Sequence, residues 1–429
     1  MQTVSLSYGR GTISVSVPKM NLVKCLGYKT LPPLDDPVQK ITDLLENPNG
    51  TEPFSRLIRG KKTVCILISD VTRPVPNETI LTPLLKALET GGVKRGNILI
   101  LVATGLHRPS TSQERIEMVG DYIASEYRIE DHYAMEQSQH TYLSQSPNDV
   151  PIWVDTRYLE ADLKIATGLI EPHFMAGFSG GRKAICPGIC GHETIAAWHK
   201  PKFLEHEKAT NGYLQSNPVH EENTWIAKQA GCDFIVNVVL DSHRRILKAV
   251  AGDMVLAFEE GVAFARTFVI DTLDKPVDVV ITSGAGYPLD TTYYQSVKGI
   301  VAAIEILKPG GTIIIASSCA EGLGSREFDE IAERFPKIEQ FMDAIIKDEF
   351  FVLNQWQMEE LAKALRKGKV KFYTDAIDHE TLRKFYVDPV VSLAAAVEEC
   401  IKEYGPDTTI AVLPEGPYVL AKLNTPVSE

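Results

Sequence analysis

Three stretches of this sequence combine residue types able to do chemistry, and each directly follows an apolar run of strand length. In Ser69-Asp-Val-Thr-Arg-Pro-Val-Pro76, a carboxylate, a hydroxyl and a guanidinium stand close together. Ligands of open α/β sheets bind beyond the C-terminal ends of strands, so Asp70, Thr72 and Arg73 are candidates to meet one. Arg73 offers the planar fork that grips a carboxylate or phosphate in bidentate fashion. Asp, Thr and Pro also make ordinary turns and helix starts, so this stretch does not decide the matter alone. Ala103-Thr-Gly-Leu-His-Arg-Pro109 repeats the placement and adds His107, a ring suited to proton transfer near neutrality.

The third stretch, Gly168-Leu-Ile-Glu-Pro-His-Phe-Met-Ala-Gly-Phe-Ser-Gly-Gly-Arg-Lys-Ala-Ile-Cys-Pro-Gly188, is the densest and contains His173. Its glycines at 177, 180 and 181 permit close backbone approach to an anion just ahead of Arg182 and Lys183. A Walker A loop is excluded, because Lys183 is preceded by Arg182 and followed by Ala184. Beside a cationic neighbour in a partly desolvated loop, a lysine amine loses basicity and becomes a candidate for covalent attachment. The plainer reading is a surface lysine that meets phosphate as a point charge. His192 and His199 fall in an expected helix beginning near Gly191, and either could ligate a metal. They lie two turns apart on one face, too far to chelate one ion together. Cys186-x3-Cys190 has no second pair at zinc-site spacing, which argues against structural zinc. Further on, Gly286-Tyr-Pro-Leu-Asp-Thr-Thr-Tyr-Tyr-Gln-Ser-Val-Lys-Gly299 carries Gln295 and Lys298 on one face near a helix start, where donors and dipole favour a carboxylate. The alternative for that pair is a solvated first turn.

The elements that must position these residues are legible as alternating strands and helices. Strands are expected at Thr63 to Ser69, Asn97 to Val102, Leu163 to Ala166, Phe234 to Val239, Val277 to Thr282, Thr312 to Ala316, Val370 to Tyr373 and Thr409 to Leu413. Helices are expected at Glu78 to Thr90, Glu221 to Ala230, Met254 to Thr267, Gln295 to Leu307, Gln355 to Lys367 and Ser392 to Tyr404. Val4 to Val17 alternates around Gly9-Arg-Gly11 and reads as a β-hairpin. The class is α/β, in two α/β lobes, the C-terminal one Rossmann-like, with the active site in the interdomain cleft. A seam at Asp271-Thr-Leu-Asp-Lys-Pro276 places the lobes at 1–270 and 271–429, the first carrying the lysine and the histidines, the second contributing substrate-binding residues.

Composition narrows the partners. The chain has 429 residues and a formal charge of −12, so no general basic field draws nucleic acid or anionic lipid. Its 44% hydrophobic content supports sizeable cores. The N-terminal stretch lacks a secretory pattern, and no apolar run is long enough to cross a bilayer. Seven scattered cysteines suit a reducing compartment, and the cytoplasm is the expected setting.

In order along the chain, Asp-x-Thr-Arg-Pro, Thr-Gly-Leu-His-Arg-Pro, Glu-Pro-His-Phe-x-x-Gly-x-x-Gly-Gly-x-Lys and Tyr-Gln-x-x-Lys-Gly resemble the nickel-pincer lactate racemase family of 2-hydroxy acid racemases and epimerases. The resemblance spans nearly the whole chain, through Leu413-Pro-Glu-Gly-Pro-Tyr418. It implies that Lys183 carries a pyridinium bisthiocarboxylate mononucleotide, the nickel-pincer nucleotide, through a thioamide. Nickel would sit in that group with His199 as fourth ligand, so the metal-binding positions are His199 and, through the group it bears, Lys183. The resemblance makes His107 and His173 the acid/base pair and assigns Asp70, Val71, Thr72, Arg73 and His199 to the cofactor. It further assigns Arg73, Gln295 and Lys298 to the substrate carboxylate, with Tyr294 and Trp356 lining the pocket. The implied reaction is racemisation of a lactate- or malate-type 2-hydroxy acid, by reversible hydride transfer through a 2-keto acid. The implied partners are the hydroxy acid and cofactor-maturation enzymes for carboxylation and hydrolysis, sulfur transfer and nickel insertion. An aldonate epimerase with the same cofactor, and a non-catalytic cofactor binder, are the alternative readings.

Overall fold

The protein is described by a computed structural model over residues 1–424, so positions 425–429 of the expected second lobe lie outside the described residues. Two six-stranded sheets organise it. Across the first sheet the strands run Ile246–Gly252, Phe234–Leu240, Leu163–Leu169, Val64–Ser69, Ile98–Ala103 and Arg128–Asp131. All pair in parallel except the edge strand Ile246–Gly252. In chain order this is the doubly wound dinucleotide-binding arrangement, whose order reverses between Val64–Ser69 and Leu163–Leu169 and opens a crevice there. The second sheet runs Asp388–Pro389, Gly368–Tyr373, Leu307–Ala316, Val277–Ser283, Ile410–Leu413 and Leu22–Cys25, all in parallel. The second lobe is thus Rossmann-like as expected, and the first shares the winding.

Alternation along each strand explains the layers. In Val64–Ser69, Val64, Ile66 and Ile68 face an outer core with Ile80, Leu81 and Leu84 of helix Asn77–Thr90. Cys65 and Leu67 face an inner core that continues without a break to Val280 and Ile313 of the second sheet. Such side chains each contribute roughly 1.5–3 kcal/mol of burial, so the lobes share a hydrophobic body rather than a hinge alone.

Two sequence expectations need correction. The expected first lobe, 1–270, is not continuous in space. The hairpin Gln2–Tyr8 and Gly11–Val17 packs Leu6, Val15 and Val17 against Val279 and Ile281 of the second sheet, and Leu22–Cys25 extends that sheet beside Ile410–Leu413. The fully buried strand Ile410–Leu413 would otherwise expose unpaired backbone along that edge, and the chain's beginning covers it. The helix expected to reach Leu307 spans Tyr293–Ala302, because Leu307 already pairs with Val277 as the next strand begins. All seven cysteines are free, and among the described residues no helix is long and apolar enough to cross a membrane.

Candidate active site

The crevice of the first sheet places the ends of three strands together. Beyond Val64–Ser69, Thr72 Oγ1 donates to Asp70 Oδ1 at 2.6 Å, and His107 Nδ1–H donates to Asp70 Oδ2 at 2.5 Å. Burial alone would raise the Asp70 carboxyl, but the His107 ring, the Thr72 hydroxyl and Arg73 outweigh it and hold the group below its ordinary value. With Nδ1–H committed to a carboxylate, the neutral His107 ring keeps its lone pair on Nε2. That atom lies 3.4 Å from Gln295 Nε2, which reaches it from the second lobe.

Beyond Leu163–Leu169, His173 is set the opposite way. Its Nδ1 accepts the backbone N–H groups of Met175 and Ala176 at 3.2 and 3.1 Å, so the ring proton sits on Nε2, 2.7 Å from Lys183 Nζ. Burial, then the charges of Lys183, Arg73, Lys298 and Arg182, hold His173 well below its ordinary value. Burial, then Arg73, Arg182 and Lys298, likewise hold the Lys183 amine well below the usual lysine range, which favours an uncharged, nucleophilic nitrogen.

The glycine loop delivers Lys183 because little but glycine fits it. Gly177 has φ +75°, and a Cβ there would lie 2.0 Å from the Tyr213 carbonyl oxygen. Asn237 Oδ1, from strand Phe234–Leu240, accepts the Gly181 N–H at 2.7 Å and pins the turn Gly181–Ala184 on which Lys183 sits. Arg182 points away into the core, donating to the carbonyls of Gly180 and Ala176 and lying over the Phe258 ring.

His199 follows the helix His192–Trp198. Its Nδ1–H donates to the Ile195 carbonyl at 2.7 Å, and its ring is stacked between Trp198 and Trp356 at centroid distances of 3.5 and 4.1 Å. Burial pushes the ring down to about 3, which leaves the Nε2 lone pair unprotonated. Trp356 Nε1 donates in turn to the Tyr294 hydroxyl at 2.8 Å. His192 lies elsewhere, in a small pocket beside Gln137 and His140, so the structure separates the two histidines that spacing left level.

From the second lobe, Thr292 caps helix Tyr293–Ala302 by accepting the Gln295 N–H, and the helix presents Gln295 and Lys298. They are only 4% and 7% exposed, which rules out the alternative of a solvated first turn; the first lobe covers them. Lys298 Nζ donates to Gln295 Oε1 and lies 5.7 Å from the Phe174 ring centre. Burial, then Arg73, holds Lys298 well below the usual lysine range.

A cavity of about 160 Å³ gathers His107, His173, Lys183, His199, Arg73 and Lys298. Asp70, Thr72, Tyr294 and Trp356 also line it, whereas Val71 and Gln295 line an adjoining cavity of about 260 Å³ on the far side of His107. Among the other polar residues near the helix start, Thr291 reaches that outer cavity, while Ser283 turns away to donate to the Pro414 carbonyl. Three members of the site are not singled out by sequence. Trp198 supplies the second face of the His199 sandwich, Phe174 meets Lys298, and Glu171 is buried with Oε1 3.3 Å from Arg73 Nη1. Glu171 carried a signal, being an acid placed directly after a buried strand; the two aromatic residues read as ordinary core.

Residues 8–212 match the lactate racemase N-terminal domain family and residues 272–421 the lactate racemase C-terminal domain family. The lactate racemase of Thermoanaerobacterium thermosaccharolyticum is 35% identical, with 98% of this chain and all of that protein aligned. The lactate racemase of Lactiplantibacillus plantarum is 33% identical over 98% of this chain and all of its own length. The solved structure of the T. thermosaccharolyticum lactate racemase apoprotein superposes with a TM-score of 0.91 at 34% identity, covering 98% of this chain and 100% of that one. A Thermotoga maritima protein shares the fold at 17% identity and a TM-score of 0.69, covering 92% of this chain and 100% of its own.

Proposed function

The chain belongs to the lactate racemase family and is an isomerase, and from that premise we propose that it interconverts the enantiomers of lactate or a close 2-hydroxy acid in the cavity between its lobes. One observation carries the reading: His107 and His173 reach one cavity in opposite hydrogen-bonding states, His107 with a free lone pair and His173 with an N–H. In the two enantiomers the hydroxyl occupies mirror-related positions, and each position needs a proton-handling group within about 2.6–3.2 Å. Two rings entering from different strand ends meet that requirement.

The side chains present also suit the nickel-pincer nucleotide. Among the described residues no three His, Cys, Asp or Glu side chains gather to hold a metal, and His199 offers a single neutral imidazole. A metal here must bring its remaining donors with it, and sulfur donors completed by one imidazole are reasonable for Ni(II). Lys183 would carry the group through its amine. Thr72 and Arg73, ahead of helix Asn77–Thr90, would meet its phosphate, with Val71 contributing main chain and Asp70 holding the Thr72 hydroxyl in place. When bound, the group would take hydride from the substrate α-carbon and return it to either face of the 2-keto acid so formed.

The chain's own residues do the rest. Lys298, Gln295 and Arg73 bind the carboxylate, so the acid turns about its carboxylate bond instead of escaping. His107 Nε2 takes the hydroxyl proton, with Asp70 stabilising the imidazolium that forms. His173 Nε2–H donates a hydrogen bond to the oxygen when it swings to the opposite side, and the proton held by His107 returns to that oxygen as the α-carbon regains hydride, so His173 keeps its own proton; Tyr294 with Trp356 keeps water from that path. Such a group requires maturation partners for carboxylation and hydrolysis, sulfur transfer and nickel insertion, and a reducing cytoplasm suits its sulfur donors.

The test is to produce the protein alongside such maturation enzymes and measure intact mass, nickel content and racemisation of L-lactate by chiral analysis. An adduct, bound nickel and activity that all vanish in Lys183→Ala are expected. Full activity from unmodified, nickel-free protein would sink the reading.

A further inference from the structure

A cavity of about 320 Å³ lies between the lobes beside the reacting one and has no task in the reaction as described. The two share Leu169 and Glu171 as a common wall. Pro74, next to the Arg73 that the reading above gives to the substrate carboxylate, lines the outer of the two. At the rim of this outer cavity stand two exposed arginines from distant parts of the chain. Arg10 occupies the turn of the hairpin Gln2–Tyr8 and Gly11–Val17, with its guanidinium carbon 3.7 Å from the centre of the Tyr287 ring. Arg244 occupies the turn between strands Phe234–Leu240 and Ile246–Gly252 and donates to the Tyr287 carbonyl. Its φ of +62° is a conformation that arginine rarely adopts. Tyr287 is held in turn by its own N–H, which donates to the Gly9 carbonyl at 2.7 Å.

Neither cation is neutralised within the protein. Arg245 closes on Asp241 and Arg108 on Glu114, each at 2.7 Å, whereas among the described residues Arg10 and Arg244 have no carboxylate in ion-pair contact. Two like charges gathered on one tyrosine repel each other, and an anion within reach of both relieves that repulsion. The acids lining the same cavity are muted. Asp241 is the partner of Arg245, Glu171 that of Arg73, and burial pushes the Glu415 carboxyl up. The cavity of about 260 Å³ on the far side of His107 has the opposite character. Its lining carries Asp70 and Glu321, while its one arginine, Arg108, is already taken by Glu114. In a chain of net charge −12, a small anion is drawn to the first opening and turned away from the second.

We propose that Arg10 and Arg244 form an entry subsite for the carboxylate of the 2-hydroxy acid, from which it passes the wall of Leu169 and Glu171 to reach Arg73. The identity of the anion rests on the racemase reading above; the two unpaired guanidiniums at the cavity rim do not. A subsite on the route lowers the barrier to entry and to exit alike. It therefore speeds exchange of the ligand and leaves the final affinity nearly unchanged.

The experiment is stopped-flow binding of L-lactate to cofactor-loaded enzyme, followed by tryptophan fluorescence because Trp198 and Trp356 line the reacting cavity. Wild type is compared with Arg10→Gln, Arg244→Gln and the double variant, with intact mass confirming the Lys183 adduct in each. A unit charge ~4 Å from the anion in water changes its occupancy about fivefold. Each single variant should then lower the association rate constant about fivefold, and the double variant should lower it on the order of twentyfold at low salt. The dissociation rate constant should fall in step, leaving Kd within about threefold. Added salt should slow association to wild type and hardly affect the double variant. A double variant with lysine at both positions keeps the charges but not the stacked or forked guanidinium, so it should recover most of the rate. Unchanged association and salt dependence in the glutamine double variant overturn the proposal. So does a loss confined to Kd at an unaltered association rate, or a slow association that lysine does not restore. A loaded wild type that binds L-lactate without racemising it overturns the racemase reading and leaves this test standing; one that does not bind it overturns both.

Discussion

Asp70→Asn keeps the shape behind His107 and removes its charge, which isolates what the carboxylate does. The Nδ1···Oδ2 distance of 2.5 Å puts the centre of the imidazolium charge about 4 Å from the carboxylate, and at an effective dielectric of ~20 their attraction is about 4 kcal/mol. That interaction exists fully only once the ring has taken the substrate proton, so it acts on the transition state and not on binding. If half to three-quarters of the charge has developed there, the barrier rises by about 2–3 kcal/mol and kcat falls by a factor on the order of 10². The asparagine oxygen still accepts the Nδ1–H, so the tautomer is retained, and KM for lactate should move less than threefold. The two enantiomers have equal free energies, so kcat/KM must fall by the same factor in both directions, an internal check on the data. The assay is chiral quantitation of initial rates from each enantiomer, normalised to adduct content by intact mass. A loss under tenfold, or one residing entirely in KM, would refute the reasoning and return Asp70 to a purely structural role.

Two further outcomes follow from the same structure. Gly177→Ala should destabilise the protein by about 3 kcal/mol or more in urea unfolding and prevent loading of Lys183, because φ +75° is strained for alanine and its Cβ would overlap the Tyr213 carbonyl. Stability should also fall as pH rises above about 5, on account of two buried acids on helix Trp356–Lys367. Burial raises Glu360 from 4.5 to about 7 against the pull of Lys363, and burial with the charges of Glu360 and Glu205 raises Glu359 to about 9. The folded protein then holds protons that the unfolded chain has lost, and the Glu360 displacement alone amounts to something on the order of 3 kcal/mol between about pH 5 and 8. Thermal unfolding of wild type and Glu359→Gln from pH 5 to 9 checks this; the variant should lose less stability toward pH 9, and a wild-type Tm that rises across the range contradicts the assignment.

Most of the site was legible along the chain because each part is announced locally. Asp70, His107 and His173 stand just after apolar runs, where buried strands end and polar side chains meet a crevice. Gly177, Gly180 and Gly181 mark a backbone that side chains would block, as the contact to the Tyr213 carbonyl shows. What stayed hidden depended on partners distant in sequence. Leu22–Cys25 is unremarkable until Ile410–Leu413 needs a neighbour, and the burial of Gln295 and Lys298, already candidates for an anion, comes from the other lobe that covers them. His192 and His199 were equivalent by spacing, and two tryptophans far apart in the chain separate them.

The α/β class, most strand and helix positions, the free-cysteine character and the cluster of residues able to react could be read from the chain, because periodicity, glycine conformation and side-chain chemistry are properties of short segments. Which nitrogen of each histidine faces the cavity is set by the folded arrangement. His107 is oriented by a carboxylate on the neighbouring strand and His173 by amides of its own turn, so two like side chains become an acceptor and a donor. The folded arrangement also brings the helix bearing Gln295 and Lys298 in one lobe over the lysine loop of the other, through a continuous inner core that no local pattern encodes. Hydrogen-bonding state and desolvation arise from neighbours in space, and those neighbours exist only once the chain has folded.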